Sequence, residues 1–192
     1  YGGFVQKALA SIDKQGLDID FVCPAHGVVW GREGYEEARA IYDRLAQFAS
    51  APGVVILYGS MYGNTEQLAD VIAQSLSASG VHHIVCHNVT KSDPSDILCD
   101  IFRYQGLIIG CPTYCGELFS PIQNLLQLIR IRDVKNRLYS VFGSYTWAPG
   151  AVKRLVPFAD EMKWELVGES VEMKMSDLPS VLDAGWALGQ AM

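Results

Sequence analysis

The chain has 192 residues, 49% hydrophobic and 19% charged, with 15 Lys and Arg against 21 Asp and Glu for a formal charge of −6. That length suits one full domain and a remainder, and the acidic balance argues against a nucleic-acid or acidic-membrane binder, which would carry a basic patch. Five cysteines at irregular spacings (Cys23, Cys86, Cys99, Cys111, Cys115) make no complete disulfide framework. No run of about 20 apolar residues is present, so no membrane span is expected, and a reducing cytoplasm is the expected compartment.

In chain order, a helix is predicted over 3–14, ending at Gly16, followed by a short strand over 19–22 and a turn at Cys23-Pro-Ala-His-Gly27. A charged helix over 33–49 leads into Ala51-Pro-Gly53, which reads as a linker. About fifty residues in this order are too few for an independent core, so residues 1–50 are expected to be the tail of a preceding domain, and 51–192 a domain of its own.

From Val54 the pattern changes. Short apolar runs at Val54–Tyr58, His83–Cys86, Gly106–Gly110, Leu138–Phe142 and Glu165–Gly168 read as five strands. Between and after them, segments near 64–79, 94–102, 118–130, 149–162 and 179–191 have apolar residues at three- and four-residue steps, as in Leu68, Val71, Ile72 and Leu76, the stripe of a core-facing helix. Strands alternating with helices imply right-handed crossovers and a parallel sheet covered on both faces. The expected fold is a five-stranded doubly wound α/β sandwich.

Such sheets bind ligands beyond the carboxyl ends of the strands, which points to three loops. The first, Gly59-Ser-Met-Tyr-Gly-Asn-Thr-Glu66, brings hydroxyls, an amide and glycines to a helix N-terminus, where free N–H groups favour a phosphate. It lacks the Gly-Lys-Ser/Thr of a P-loop and the Gly-x-Gly-x-x-Gly of dinucleotide folds. The second, Cys111-Pro-Thr-Tyr-Cys-Gly116, and the third, Gly143-Ser-Tyr-Thr-Trp-Ala-Pro-Gly150, set aromatics beside Gly and Thr. Together the three loops make a slot for a flat ring with a phosphorylated tail. The histidines His82, His83 and His87, around the second strand, read as solvated residues of a sheet edge.

On these motifs residues 53–192 resemble a flavodoxin domain, and Ser60-Met-Tyr-Gly-Asn-Thr-Glu66 is similar to the form in flavodiiron proteins. Cys23-Pro-Ala-His-Gly-Val-Val-Trp30 resembles the end of that family's metallo-β-lactamase-like domain, where the motif's histidine ligates a di-iron centre. The resemblance implies a flavodoxin-like sheet of order 2-1-3-4-5 with FMN as cofactor. It implies that Ser60, Met61, Tyr62, Gly63, Asn64 and Thr65 hold the phosphate and part of the ring. Pro112, Thr113, Tyr114, Cys115 and Gly116 would line the ribityl chain and ring, and Ser144, Tyr145, Thr146, Trp147 and Ala148 would close the other side. His26 would be an iron ligand only in an intact parent, since the family's His-x-Glu-x-Asp-His motif is absent from these residues. The family further implies a rubredoxin-type electron donor, a di-iron site reducing oxygen or nitric oxide, and a head-to-tail homodimer. Two other readings of the residues are a free-standing flavodoxin-like carrier and a non-redox interaction module that has kept the fold.

Overall fold

The computed structural model describes residues 1–192, which divide into two compact units, Tyr1–Ser50 and Ala51–Met192. No helix is long and apolar enough to cross a membrane.

The first unit is an antiparallel pair of two-residue strands, β1 (Phe21–Val22) and β2 (Trp30–Gly31), with helices α1 (Gly2–Gln15) and α2 (Arg32–Ala46). Gly16 ends α1 in the left-handed conformation, φ +59°, a C-cap that a residue without Cβ adopts freely. Neither helix has a fully buried residue. Polar ties hold the surface: Arg32 donates to Asp18 and Asp20, and Arg39 to Asp13.

The second unit is built on a sheet of order β4-β3-β5-β7-β8, with β9 also on β7 and every one of these pairings parallel. Its strands are β3 (Ala51–Tyr58), β4 (Ile84–Asn88), β5 (Tyr104–Tyr114), β7 (Leu138–Tyr145), β8 (Glu165–Leu166) and β9 (Val171–Lys174). Counting β8 and β9 as one broken strand, this is the expected 2-1-3-4-5. Nearly continuous apolar strands arise because both faces are covered. One face carries Val54, Ile56 and Tyr58 against α3 (Asn64–Ala78) and α8 (Leu182–Ala191). Strand alternation sends Val55, Leu57, Leu107 and Ile109, all at most 1% exposed, to the opposite face. There α4 (Pro94–Arg103) and α5 (Ser120–Arg132) bury Ile97, Ile101, Ile122 and Ile129.

Four local differences from the expected elements have physical causes. The fifth strand is split: β8 pairs with Leu138 and Tyr139, whereas β9 pairs with Phe142 to Tyr145. Between the two pairings the broken strand spends two more residues than β7, and Gly168 at φ +70° absorbs them as bulges do. The helix expected over 149–162 is two, α6 (Val152–Leu155) and α7 (Pro157–Met162), because Pro157 has no N–H to continue the ladder. The helix expected from 118 starts at Ser120, because Glu117–Leu118 form a short strand, β6, antiparallel to β5. Finally, β4 is the sheet edge and His82 and His83 are exposed, but His87 is not solvated. Its side chain is 13% exposed, with Nε2 2.9 Å from the Asp100 carboxylate and Nδ1 3.1 Å from the Ser92 hydroxyl.

Candidate functional site

The carboxyl ends of β3, β5 and β7 lie side by side, so the three loops converge. Gly59 leaves β3 with its N–H on the Gly110 carbonyl at 3.0 Å. A Cβ there would lie 2.6 Å from the Phe119 ring, so only glycine lets this turn pass. The turn then closes on itself: the Gly63 N–H donates to the Ser60 hydroxyl at 3.1 Å, with Gly63 at φ +84°. α3 begins at Asn64 with no side-chain cap, which leaves first-turn N–H groups for an anion. Glu66, the acid of that turn, accepts a hydrogen bond from the Tyr58 hydroxyl at 2.8 Å. Burial, and then this bond, push the Tyr58 hydroxyl above the ordinary tyrosine range.

Below the turn, the hydroxyls of Thr65 and Ser144 are 2.9 Å apart and buried. They join the first loop to the third. Thr113, in the second, accepts from the Gly150 and Ala151 N–H groups at 3.1 and 3.0 Å. Arg154 adds a forked ion pair to Glu117 and donates to the Gly150 carbonyl. In the second loop the Cys111 thiol is buried, donating to the Pro112 carbonyl and accepting from the Phe119 N–H. Burial pushes its pKa up to about 12, which keeps it a neutral packing group.

The cleft formed by these loops is lined by Ser60, Met61, Tyr62, Asn64, Thr65, Pro112, Thr113, Ser144, Tyr145, Thr146 and Met175, with a volume near 60 Å³. That suits a phosphate-sized group, and a flat ring would extend beyond it. Tyr62, in the lining, is 87% exposed, and Trp147 and Tyr114, in the third and second loops, are 92% and 49% exposed. The donor set is hydroxyl, amide and backbone, with no Lys or Arg in the lining. It fits a phosphorylated flat-ring ligand whose binding comes largely from stacking. Ten of the sixteen residues named from the sequence line the cleft. Gly63 shapes the turn, while Tyr114, Cys115, Gly116, Trp147 and Ala148 lie outside the lining. Cys115 (φ +50°) and Gly116 (φ +76°) are the two turn residues between β5 and β6. Met175 was missed by sequence reasoning. His26 is exposed in the first unit, beside an apolar groove of about 550 Å³ that also touches Phe21 and Trp30. Another cavity, about 510 Å³, lies at the opposite ends of the strands. Neither is lined by serine, threonine or asparagine side chains.

The Flavodoxin family profile matches residues 56–185. The chain belongs to the flavodoxin family. It is 32% identical over 140 residues to the anaerobic nitric oxide reductase flavorubredoxin of Escherichia coli O1:K1 / APEC, covering 72% of this chain and 29% of the relative. The rubredoxin oxygen:oxidoreductase of Desulfovibrio gigas superimposes with a TM-score of 0.93 at 25% identity, over 100% of this flavodoxin-family chain and 48% of that one. The flavodiiron protein of Giardia intestinalis shares the fold, with a TM-score of 0.88 at 22% identity, over 99% and 47%. The chain thus spans less than a third of the flavorubredoxin and about half of the two solved chains, and its flavodoxin-like part is of the flavorubredoxin and flavodiiron type.

Proposed function

We propose that residues 51–192 bind FMN and form the electron-transfer domain of a flavodiiron oxidoreductase. The observation that carries this reading is the uncapped start of α3 beside the buried Thr65–Ser144 hydroxyl pair, with exposed Tyr62 in the cleft and exposed Trp147 in the third loop. Ser60, Asn64 and Thr65 hold the phosphate together with the first amides of α3, and the Tyr58 hydroxyl holds Glu66 by a hydrogen bond. Thr113 and Arg154 fix the third loop, so that Tyr145, Thr146, Trp147 and Ala148 meet the ring on a preset backbone. Pro112, Tyr114, Cys115 and Gly116 border the ring and ribityl chain from the second loop. Bound FMN supplies one- or two-electron redox chemistry; the chain supplies binding, orientation and electrostatics.

In this reading residues 1–50 are the tail of a metallo-β-lactamase-like di-iron domain, and His26 is one ligand of an iron centre completed elsewhere in the parent. The parent takes electrons from a rubredoxin-type donor, reduces oxygen or nitric oxide, and works as a head-to-tail homodimer. Support comes from the names of the Escherichia coli and Desulfovibrio gigas relatives and from the match of this whole chain to about half of the latter. Mixing the chain with FMN, gel filtration and absorbance at the flavin bands test the central claim. One FMN retained per chain is the expected result, and no retained flavin overturns it.

A further inference from the structure

The loop after β9 brings Met175 to the cleft with the other three. Met175 follows the last register pair, Tyr145 with Lys174, and its N–H donates to the Tyr145 carbonyl at 2.6 Å. Its backbone is left-handed, φ +54°, a conformation that residues with a Cβ adopt at a cost and that tends to persist where a side chain has work to do. Packing in the core is not that work: Met173, two residues earlier, is fully buried in the core cluster, whereas Met175 is 47% exposed. The side chain lines the cleft beside Tyr145 and Thr146. Elsewhere in the lining, Ser60, Asn64, Thr65, Thr113 and Ser144 offer hydroxyls and an amide suited to a phosphate, while Met61, Tyr62 and Pro112 offer apolar surface from the first and second loops. A flexible, polarizable thioether makes favourable contacts with aromatic rings.

We infer that Met175 is a cofactor-contact residue from a fourth loop, its thioether packing on the bound flavin nucleotide. The inference rests on the reading that this cleft binds FMN. The left-handed backbone places the side chain there, and the Tyr145 carbonyl holds the backbone in turn.

Apoprotein is titrated with FMN by flavin fluorescence, for the wild type and for Met175→Gly, Met175→Asn and Met175→Leu, with the thermal midpoint of each apoprotein measured in parallel. Gly and Asn accept a positive φ, so neither should lower the midpoint, while the Kd for FMN should rise about three- to tenfold. Met175→Leu keeps the bulk and should stay within about twofold to threefold of wild type. A purely structural residue would give the reverse pattern, a changed midpoint with an unchanged Kd, and that pattern overturns the inference. Wild-type chain that takes up no FMN refutes the functional reading itself, whereas wild-type binding with unchanged Gly and Asn variants refutes only the role of Met175. A second measurement needs no variant. Dilute hydrogen peroxide, in the dark, transfers one oxygen to an accessible thioether and leaves water. Peptide mass spectrometry should find Met175 sulfoxide forming severalfold more slowly with saturating FMN, with Met192 as reference. An unchanged rate at Met175 counts against the contact.

Discussion

The hydroxyls of Thr65 and Ser144 meet at 2.9 Å, although they lie 79 positions apart in the chain. One sits in the first turn of α3 and the other near the end of β7, and both are buried. This bond ties the first turn of α3 to the sheet. It also leaves each oxygen spare hydrogen-bonding capacity toward the cleft.

Thr65→Val keeps the shape and removes the hydroxyl, leaving Ser144 buried with one partner fewer. The expected loss of stability is about 1–3 kcal/mol, read from the urea midpoint. Affinity should separate two ligands: FMN should bind more weakly to the variant, while riboflavin, which lacks the phosphate, should bind both forms alike. Equal losses for the two ligands would place Thr65 away from the phosphate.

Thr113 predicts a different signature, because its oxygen accepts from two backbone groups in another loop. In Thr113→Val the N–H groups of Gly150 and Ala151 lose that acceptor. Their hydrogen exchange should speed up by about tenfold or more, the equivalent of ~1.4 kcal/mol, with little change in the core strands. Arg154→Gln removes the neighbouring ion pair to Glu117, whose partners are 31% and 66% exposed, and the bond to the Gly150 carbonyl, but takes no acceptor from a loop N–H. An exposed pair contributes ~0–1 kcal/mol, so exchange there should change much less. If the two variants loosened the loop equally, the assignment of Thr113 as its main clasp would fail.

Gly110 tests how tightly the sheet beneath the site is packed. It pairs with Phe142 across β5 and β7, and a Cβ at Gly110 would fall 2.1 Å from the Phe142 ring. Phe142 is fully buried, so its ring cannot swing into solvent. Gly110→Ala should cost about 1–3 kcal/mol by overpacking. Pairing it with Phe142→Leu should recover part of that loss, which denaturant melts of the two single variants and the double variant will resolve.

How far these features could be read in advance depended on their range. The parallel, doubly wound sheet followed from alternation of apolar runs and helical stripes, its strand order from the resemblance to flavodoxin domains, and Asn64, Thr65 and Ser144 stood out because their loops carry unusual polar groups at strand ends. Their mutual hydrogen bond did not, since nothing local links residue 65 to 144. The β5–β6 hairpin went unseen because Cys115 occupies a positive-φ turn position where Asn or Asp is the usual signal. Met175 was hidden for a related reason. Val171-Glu-Met173 is too short an alternation to stand out, and the residue that reaches the cleft does so by a left-handed twist beyond the strand. His87 read as an edge residue in water, yet Asp100 and Ser92 come to it from the adjoining helix and loop. Long-range contacts of this kind leave no periodic trace.

Alkali should expose the thiol packed under the site. Cys111 is fully buried, and burial holds its folded pKa at about 12 against an ordinary value of 9.0, with the Phe119 N–H pulling weakly the other way. Below about pH 9 both folded and unfolded chains keep the proton, so the group leaves stability independent of pH. Above it the unfolded chain releases the proton while the folded chain holds it. The unfolded state then binds fewer protons, and stability must fall with rising pH until the folded thiol also ionises near 12. The slope from one such group approaches ~1.4 kcal/mol per pH unit. Tyr58 and Tyr139, both raised by burial, add their own alkaline loss, so the total slope is not diagnostic by itself. The difference between wild type and Cys111→Ala is. Urea midpoints at intervals from pH 7 to 11 should show the variant less stable at neutral pH, because the Phe119 N–H has lost its acceptor, but with a shallower decline above pH 9. Parallel curves would mean that the thiol is reached by water in the folded state, and rapid iodoacetamide labelling of Cys111 at pH 8 in wild type would then be expected as well.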